Sequence, residues 1–378
     1  MKDELRNELT GLRAKGLARA LRDREQPGLV NFSSNDYLGL ASHPAVIDAA
    51  TEALRRFGAG GTSSRLVAGT VAPHSALETA LADFLNKEAA LLFSSGYHAN
   101  TGIIPALVSS QDIVFFDRLS HASIIDGVRL SGAPFSAFDH NDAADLESLL
   151  KKRRAKGRRA LVITEGFFSM DGDRPPLKEV VRLAKEYGAW SYLDEAHSLG
   201  VIGPDGRGLA AEQAVLNDID VHVGTLSKTL GSQGGFVAGP RVLIDFLVTR
   251  CRSLAYTTAL APAMAAAAHA ALRLVPSLEK ERADLAAASE SVRAALMKMG
   301  FSCGESRSQI IPVMTGTLEA TKALSDYLLT QGFFVPSIRP PTVPTGEGRV
   351  RLSISLPVLN DVNALVHAFQ GGGIVQAS

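Results

Sequence analysis

The amino-acid sequence predicts an α/β fold: a large domain with a mainly parallel sheet, followed by a smaller C-terminal α+β domain. Between about residues 45 and 240, short apolar, β-rich runs alternate with helical patterns. Strands that alternate with helices form βαβ units, whose parallel sheet is covered on both faces. After about residue 265 this alternation ends. For a chain of 378 residues we therefore expect an N-terminal segment at 1–38, a large domain at 39–265 and a small domain at 266–378.

The predicted strands of the large domain are runs of four or five mainly apolar residues next to turn signals. In a parallel sheet, ligands bind at the carboxyl ends of the strands, so the residues just after each strand are the first candidates for a site. The predicted strands are Ala90–Phe93, Asp112–Phe116, Ala160–Thr164, Trp190–Leu193, Val221–Gly224 and Gly235–Ala238.

Helices are predicted where apolar residues recur at helical spacing. Residues 1–26 carry five leucines among many charges, which is typical of an amphipathic helix that packs against a partner surface. In the small domain, the apolar runs Gln309–Met314 and Arg349–Ser355 are predicted strands. The other predicted helices are Pro44–Phe57, His74–Leu85, Ala143–Arg154, Leu177–Tyr187, Met264–Leu274, Leu278–Met299 and residues 317–331.

The composition excludes several classes of function. With 39 basic and 39 acidic residues, the chain has no overall field that would attract nucleic acid or anionic lipid. Its two cysteines form no disulfide framework, and its nine histidines form no close pair that would suggest zinc or another metal. Residues 1–24 lack a signal peptide, and no stretch has the length of a membrane span. We therefore expect a cytoplasmic protein.

Polar side chains follow five consecutive predicted strands, and parallel strands bring their carboxyl ends to one edge of the sheet. Taken singly, each has an ordinary explanation: Asp194 caps a helix, Lys228 is solvated and His121 is a structural hydrogen-bonding residue. Five such placements at a ligand-binding edge favour a functional site. The strand-end residues are Ser94–Tyr97, Asp117–His121, Glu165–Gly172, Asp194 with His197, and Thr225 with Ser227 and Lys228.

These residue types suit pyridoxal 5'-phosphate (PLP). A lysine in a cleft of low dielectric becomes nucleophilic enough to form an imine with an aldehyde, which assigns Lys228. A carboxylate such as Asp194 keeps a pyridine nitrogen protonated, so that the ring accepts electrons. Backbone N–H groups of Gly96 and Tyr97 at a helix N-terminus, with nearby hydroxyls, bind phosphate. A flat imidazole such as His121 covers one face of a ring.

Competing motifs are incomplete. No G-x-G-x-x-G follows the first strand of the large domain, which argues against a dinucleotide fold. Lys228-Thr229 lacks the upstream glycines of a phosphate-binding loop. Thr225 and Lys228 have the spacing of a hydroxyl–lysine acylase pair, but no other motif of such enzymes accompanies them.

Six blocks of sequence resemble, in order, the signature blocks of the α-oxoamine synthases, which are fold-type I PLP-dependent transferases. The resemblance covers nearly the whole chain and implies the fold-type I architecture, an acyltransferase activity and PLP as cofactor. The blocks are Asn31–Leu40, Phe93–Tyr97, Arg118–Ser123, Thr164–Gly172, Leu193–His197 and Gly224–Lys228.

The resemblance implies a role for each matching residue. Lys228 forms the imine and, once released, acts as the base at the substrate Cα. Asp194 pairs with the pyridinium nitrogen, His197 contacts the ring hydroxyl and His121 stacks on the ring. The segment around Thr257 reaches the phosphate of a partner subunit, which implies a homodimer with composite sites. The remaining implied cofactor ligands are Gly96, Tyr97, Ser169, Thr225 and Ser227.

The C-terminal motif Ser337–Pro344 is similar to that of family members that join L-alanine to a pimeloyl thioester in biotin biosynthesis. It implies that Arg339 binds the amino-acid carboxylate, with Asn35 assisting, since a guanidinium fork fits a planar anion. For the arginine that meets the acyl donor we choose Arg22, with Arg19 and Arg24 as the alternatives.

Other reactions stay open at this point. The sequence at 121–130 also resembles the family members that use glycine and acetyl-CoA. An aldolase or aminotransferase, or a catalytically silent partner subunit, are further alternatives. The acyl carrier is either coenzyme A or an acyl-carrier protein. The basic cluster at 151–159 could dock such a protein, although a solvated helix end is the preferred interpretation.

Overall fold

The computed structural model describes residues 1–19, 21 and 28–371, which form two compact units. The large unit consists of Asn35–Ser169 and Asp173–Ala283. The small unit combines the described parts of Met1–Ser34 and Asp284–Ser378 with the short segment Met170–Gly172. The domain limits predicted at residues 38 and 265 stay a prediction, because a compact unit need not coincide with a folding domain.

The eight predicted strands are present, and the described residues also form four short strands that the sequence did not predict. All six strands predicted for the large domain are present, and their ends differ from the predicted ends by at most one residue. In chain order the strands are β1 Val30–Asn31, β2 Ala89–Phe93, β3 Ile113–Asp117, β4 Phe135–Phe138, β5 Ala160–Glu165, β6 Trp190–Asp194, β7 Val221–Thr225, β8 Gly235–Gly239, β9 Ile310–Gly316, β10 Phe333–Phe334, β11 Ser337–Ile338 and β12 Gly348–Ser353.

The N-terminal helix is shorter than predicted. It ends at Ala14, before Gly16 with its left-handed φ of 65°, and none of its residues is buried. The other predicted helices are confirmed to within two residues at each end. In chain order the helices are α1 Lys2–Ala14, α2 Pro44–Phe57, α3 Ala72–Phe84, α4 Gly96–Leu107, α5 Ala122–Ser131, α6 Ala143–Arg153, α7 Leu177–Glu186, α8 Leu209–Glu212, α9 Arg241–Arg250, α10 Arg252–Ala255, α11 Pro262–Leu274, α12 Glu279–Lys298, α13 Leu318–Thr330 and α14 Val362–Gly371.

The large unit is built on a seven-stranded sheet in the order β2-β8-β7-β6-β5-β3-β4. Strands β3 to β7 are parallel, whereas β8 is antiparallel to both of its neighbours, β2 and β7. Strand β4 was not predicted. It has only four residues at the sheet edge, and alternate residues are exposed, so its apolar signal is weak.

Both faces of this sheet are covered, as the sequence predicts. Because successive strand residues point to opposite faces, Val114 packs in a cluster with α4 and α5, whereas Phe115 packs in a cluster with α6 and α7. The central strands are buried along their whole length. This packing fixes the positions of the strand ends that carry the candidate site.

The small unit contains a three-stranded antiparallel sheet in the order β11-β12-β9, which contacts α13. Strand β1 pairs with β10 in a separate parallel ribbon. Arg349 of β12 is almost fully buried and donates hydrogen bonds to Asp171 and to the Met170 carbonyl. Within the described part of the chain, no helix combines the length and the apolar character needed to cross a bilayer.

Candidate active site

A cavity of about 210 Å³ opens at the carboxyl edge of the sheet in the large unit. The parallel strands β3, β5, β6 and β7 all end there, which brings residues far apart in the chain together. Most of the predicted cofactor residues line it. The predicted lining residues are Gly96, Tyr97, His121, Asp194, His197, Thr225, Ser227 and Lys228, and the residues that sequence reasoning did not assign are Ser95, Asn100, Ser123, Glu165, Ala196 and Gly224.

A chain of hydrogen bonds leads to Lys228. Its Nζ lies 2.8 Å from Nε2 of His197, and Nδ1 of His197 lies 2.6 Å from the Tyr37 hydroxyl. Tyr37 in turn donates to Oδ1 of Asn35 at 3.1 Å. The imidazole of His197 therefore lies between the amine of Lys228 and the hydroxyl of Tyr37, in contact with both.

Asp194, the last residue of β6, is held at both carboxylate oxygens. Its Oδ1 accepts from the Ala196 backbone N–H at 2.9 Å, and its Oδ2 accepts from Nδ2 of Asn100 at 2.8 Å. Tyr192 donates to Oδ1 of Asn100 at 2.5 Å, so the amide orientation is fixed as well. Sequence reasoning missed Asn100, although its position one turn after Gly96 on α4 could have pointed to it.

His121 caps the N-terminus of α5, and its side chain is bound to Ser123. Burial lowers the pKa of His121, and the charge of Asp194 only partly opposes this. The lowered pKa favours the neutral imidazole at neutral pH. A neutral flat ring suits contact with an aromatic cofactor better than an imidazolium beside Lys228 would.

Glu165, the last residue of β5, lies opposite Asp194 in the register of the two strands. It is fully buried and its Oε1 accepts from the His121 backbone N–H at 2.5 Å. Burial, followed by the charge of Asp194, raises the pKa of Glu165 well above its usual range. Its position at a strand end was visible in the sequence, but its contact with His121 depends on the fold.

The N-terminus of α4 offers a place for a phosphate. Ser95 caps the helix by accepting from the His98 N–H at 3.1 Å, and Gly96 and Tyr97 begin it. The first N–H groups of a helix have no acceptor within it, so they attract anions. Thr225 Oγ1 lies 2.8 Å from Ser227 Oγ at the end of β7, on the same cavity.

Strand β8 passes close to this helix start. A Cβ at Gly235 would lie 2.6 Å from the backbone nitrogen of Gly96, which is too close for any other residue. His98, in the first turn of α4, binds Ser94 through Nδ1 at 2.7 Å. Its contacts are those of a residue that supports the helix start.

The other predicted site residues lie elsewhere. Ser169 and Thr257 belong to the large unit but are not among the described lining of the cavity. Arg339 belongs to the small unit, where its Nη2 donates to the Ala18 carbonyl at 2.7 Å. Arg22 and its alternative at position 24 lie outside the described residues.

The small unit has a cavity of its own, of about 580 Å³. Its described lining includes four cationic side chains and no acidic one. This arrangement suits a ligand that carries negative charge. The cationic residues are Arg13, Arg19, Lys322 and Arg339.

The large-unit cavity meets the chemical requirements of PLP. It combines a lysine for the aldehyde, a fixed carboxylate for the pyridine nitrogen, a neutral imidazole for the ring and a helix N-terminus for the phosphate. The residues present therefore fit the cofactor.

The comparisons with known proteins agree with this chemistry. The profile of the aminotransferase class I and II family matches residues 27–369. The chain is 47% identical to the 8-amino-7-oxononanoate synthase of Pelobacter propionicus over 93% of this chain and 92% of that protein. It is 46% identical to the enzyme of the same name from Geobacter sulfurreducens over 94% and 93% of the two chains.

The chain belongs to the α-oxoamine synthase family. A solved α-oxoamine synthase, a serine palmitoyltransferase variant from S. paucimobilis with PLP bound as a myriocin aldimine, is 34% identical and superposes with a TM-score of 0.91 over 98% of this chain and 97% of that one. The 8-amino-7-oxononanoate synthase of Francisella tularensis is 25% identical, with a TM-score of 0.79 over 92% and 98%. The chain therefore has the fold-type I architecture of a PLP-dependent α-oxoamine synthase.

Proposed function

We propose that this α-oxoamine synthase condenses L-alanine with a pimeloyl thioester, releasing carbon dioxide and the free thiol and forming 8-amino-7-oxononanoate for biotin biosynthesis. The observation that carries the proposal is the gathering of Lys228, Asp194 and His121 around one cavity. The chain that builds it shares 45–48% identity with curated 8-amino-7-oxononanoate synthases.

Asp194 and Lys228 perform the central steps. When bound, PLP supplies an electron sink that stabilises negative charge on the amino-acid Cα. Asp194 keeps the pyridine nitrogen protonated, and its contacts with Asn100 and Ala196 prevent it from turning away. Lys228 removes the proton from Cα and later returns a proton to the product.

His197 positions the amine of Lys228. Nε2 of His197 lies 2.8 Å from Nζ and so holds the amine at the cavity wall. Tyr37 contacts Nδ1 on the other side of the ring and keeps the imidazole in place. The neutral His121 excludes water from one face of the site without adding charge.

The phosphate is proposed to bind at the start of α4, with Thr225 and Ser227, and with Thr257 of a second copy. A homodimer is supported by apolar side chains left exposed on two adjacent loops of the large unit. Val67 is 81% exposed and Tyr256 is 77% exposed, and the loops are joined by the hydrogen bond from Ala259 N to Ser63 O. Such exposed apolar side chains are typical of a protein interface.

Substrate binding is proposed to use Arg339 for the amino-acid carboxylate, with Asn35 assisting. Arg22 is the proposed contact of the acyl donor. Among its alternatives, Arg19 lines the cationic cavity of the small unit and donates to Thr342 Oγ1 at 2.7 Å.

The basic cluster at 151–159 gives little support to docking of an acyl-carrier protein. Its arginines donate to backbone carbonyls, to Ser136 or to Asp112, so their guanidinium groups are oriented by contacts within the chain. We therefore propose coenzyme A as the carrier. The cytoplasmic location stays a prediction, in keeping with two buried free cysteines.

The function is tested by supplying the purified, PLP-loaded protein with L-alanine or glycine, each with pimeloyl-CoA or acetyl-CoA. We expect product, carbon dioxide and free thiol from L-alanine with pimeloyl-CoA. Replacing Lys228 with Ala should lower kcat by about four orders of magnitude or more, since the base at Cα is lost. Lys185→Ala, at an exposed lysine of α7, is the matched control.

Turnover only with glycine and acetyl-CoA would move the chain to the other branch of the family. Amino-group exchange without loss of carbon dioxide would identify an aminotransferase instead. Full activity in the Lys228→Ala protein would refute the assignment of the base.

A further inference from the structure

A second buried cluster of charged groups lies at the same edge of the sheet. His140, in the loop after β4, contacts two carboxylates: its Nδ1 lies 2.8 Å from Oδ1 of Asp117, and its Nε2 lies 2.7 Å from Oδ2 of Asp173. Asp117 is fully buried and Asp173 is 7% exposed. Since an ionised carboxylate only accepts, both ring nitrogens donate, as in the imidazolium form; Nδ2 of Asn141, 3.2 Å from Nε2, then donates to Oδ2 of Asp173 and not to the ring.

The electrostatics of this cluster agree with the geometry. Burial lowers the pKa of His140, but the hydrogen bonds and charges of Asp117 and Asp173 outweigh burial and raise the pKa to about 10. Glu165 is a further acid within electrostatic reach of Asp117. The edge of the His140 ring packs against Phe168, with centroids 4.4 Å apart. The imidazolium is therefore both charge-paired and sterically held.

Asp117 connects His140 to the loop that carries His121. It is the last residue of β3, and its Oδ1 also accepts from the Leu119 N–H at 2.9 Å. The same loop ends at His121, whose backbone N–H is fixed on Glu165. Asp117 thus shapes the turn that leads from the strand to the ring-covering histidine.

Asp173 connects His140 to the loop after β5, which contains Ser169. Its backbone carbonyl accepts from the Phe168 N–H at 3.1 Å, which ties the two ends of this turn together. Its Oδ2 also accepts from Nδ2 of Asn141 at 2.9 Å. The loop with Ser169 and the loop with His121 therefore meet on one imidazole ring.

We propose that His140 is a positioning residue of the active site: its imidazolium joins the loop after β3 to the loop after β5 and so sets the places of His121 and Ser169. The inference rests on the proposed function for the roles of those two residues. His140 itself is not among the residues that line the cofactor cavity, and it acts through Asp117 and Asp173. Without the imidazolium, two buried carboxylates would face each other unpaired, and the loops would separate.

The first test needs no substrate. Histidine labelled with nitrogen-15 reports the protonation of each ring nitrogen by NMR, and His140→Gln assigns the signal. We expect both ring nitrogens of His140 to carry hydrogen from about pH 6 to about pH 9, whereas a solvated histidine titrates near about pH 6.5. A neutral His140 ring at neutral pH would overturn the proposal.

The second test separates positioning from a merely structural role. We expect His140→Gln to weaken PLP binding about tenfold and to lower kcat by about tenfold to a hundredfold, with little change in KM for L-alanine. The reason is that His121 and Ser169 are expected to contact the cofactor and not the amino acid. His367→Gln, at an exposed histidine of α14, is the matched control and should behave as the wild type.

A folded His140→Gln protein with unchanged PLP affinity and kcat would refute the proposal. If that variant does not fold, Asp173→Asn replaces it, because it retains the contact between His140 and Asp117. We then expect the same pattern at a smaller size, about threefold to tenfold. PLP affinity and the NMR signal are measured without an acyl donor, so a wrong assignment of the acyl substrate would leave both readouts interpretable.

Discussion

Two histidines at one edge of the sheet differ in charge state, and the comparison shows what decides the charge of a partly buried imidazole. Burial disfavours the charged form of both His121 and His140. His121 is bound to the Ser123 hydroxyl and stays neutral, whereas His140 is bound to two carboxylates and is protonated. The partners, more than the depth of burial, set the charge. The cofactor cavity thus has a neutral imidazole in His121, whereas the loops beside it are connected by the charged imidazolium of His140.

The largest effect is expected when the negative charge of Asp194 is removed from the cofactor cavity. Asp194→Asn keeps the shape of the side chain but loses the charge that holds the pyridine nitrogen protonated. We expect the rate of proton removal from the alanine Cα to fall about 10²- to 10³-fold. The measurement is the exchange of the alanine Cα hydrogen with deuterium in the absence of acyl donor. Asp245→Asn, at an exposed position of α9, should exchange like the wild type, and equal rates in both variants would contradict the role of Asp194.

A smaller effect is expected from replacing Tyr37, which contacts His197 on the side opposite Lys228. Tyr37→Phe removes the hydroxyl that contacts Nδ1 of His197, so the ring that contacts Lys228 is held less firmly. We expect kcat to fall by about tenfold and its pH profile to shift, with the fold unchanged. Tyr187→Phe, where the hydroxyl makes only a 3.5 Å contact with Glu147, is the control. A Tyr37→Phe enzyme with wild-type kcat and pH profile would show that His197 needs no such support.

A separate expectation concerns stability and depends on His140 alone. The pKa of His140 is raised from 6.5 to about 10, so its stabilisation is fully present below about pH 6.5 and is lost as pH rises toward about 10. In that window the free energy of unfolding should fall by at most about 1.4 kcal/mol per pH unit. Urea unfolding of wild-type and His140→Gln proteins over this range is the measurement. Equal slopes in the two proteins would contradict the charge assigned to His140.

The sequence predicted most of the large sheet, because its strands are buried, apolar and separated by clear helical patterns. It also predicted which residues lie at the carboxyl edge, since that follows from parallel strands alone. It missed β4, which is short and half exposed, and it extended the N-terminal helix beyond Ala14.

The partners inside the site could not be predicted in the same way. Asn100 reaches Asp194 across 94 residues, and His140 reaches its two carboxylates across 23 and 33 residues. No local period or spacing encodes such contacts. They form only when the fold places strands that are far apart in the chain side by side. The sequence therefore indicated the candidate residues of the site but not the hydrogen bonds between them.

Strand β8 has a consequence for the order in which the protein is made. Strand β2, which leads into the phosphate-binding start of α4, has β8 as its neighbour in the sheet, and β8 ends at Gly239. About 140 residues separate the two strands in the chain. The ribosome must therefore release the chain past residue 239 before β2 is paired and the phosphate-binding start of α4 has its neighbouring strand in place. The nascent chain therefore acquires its binding site for PLP late, after most of the large unit has left the exit tunnel.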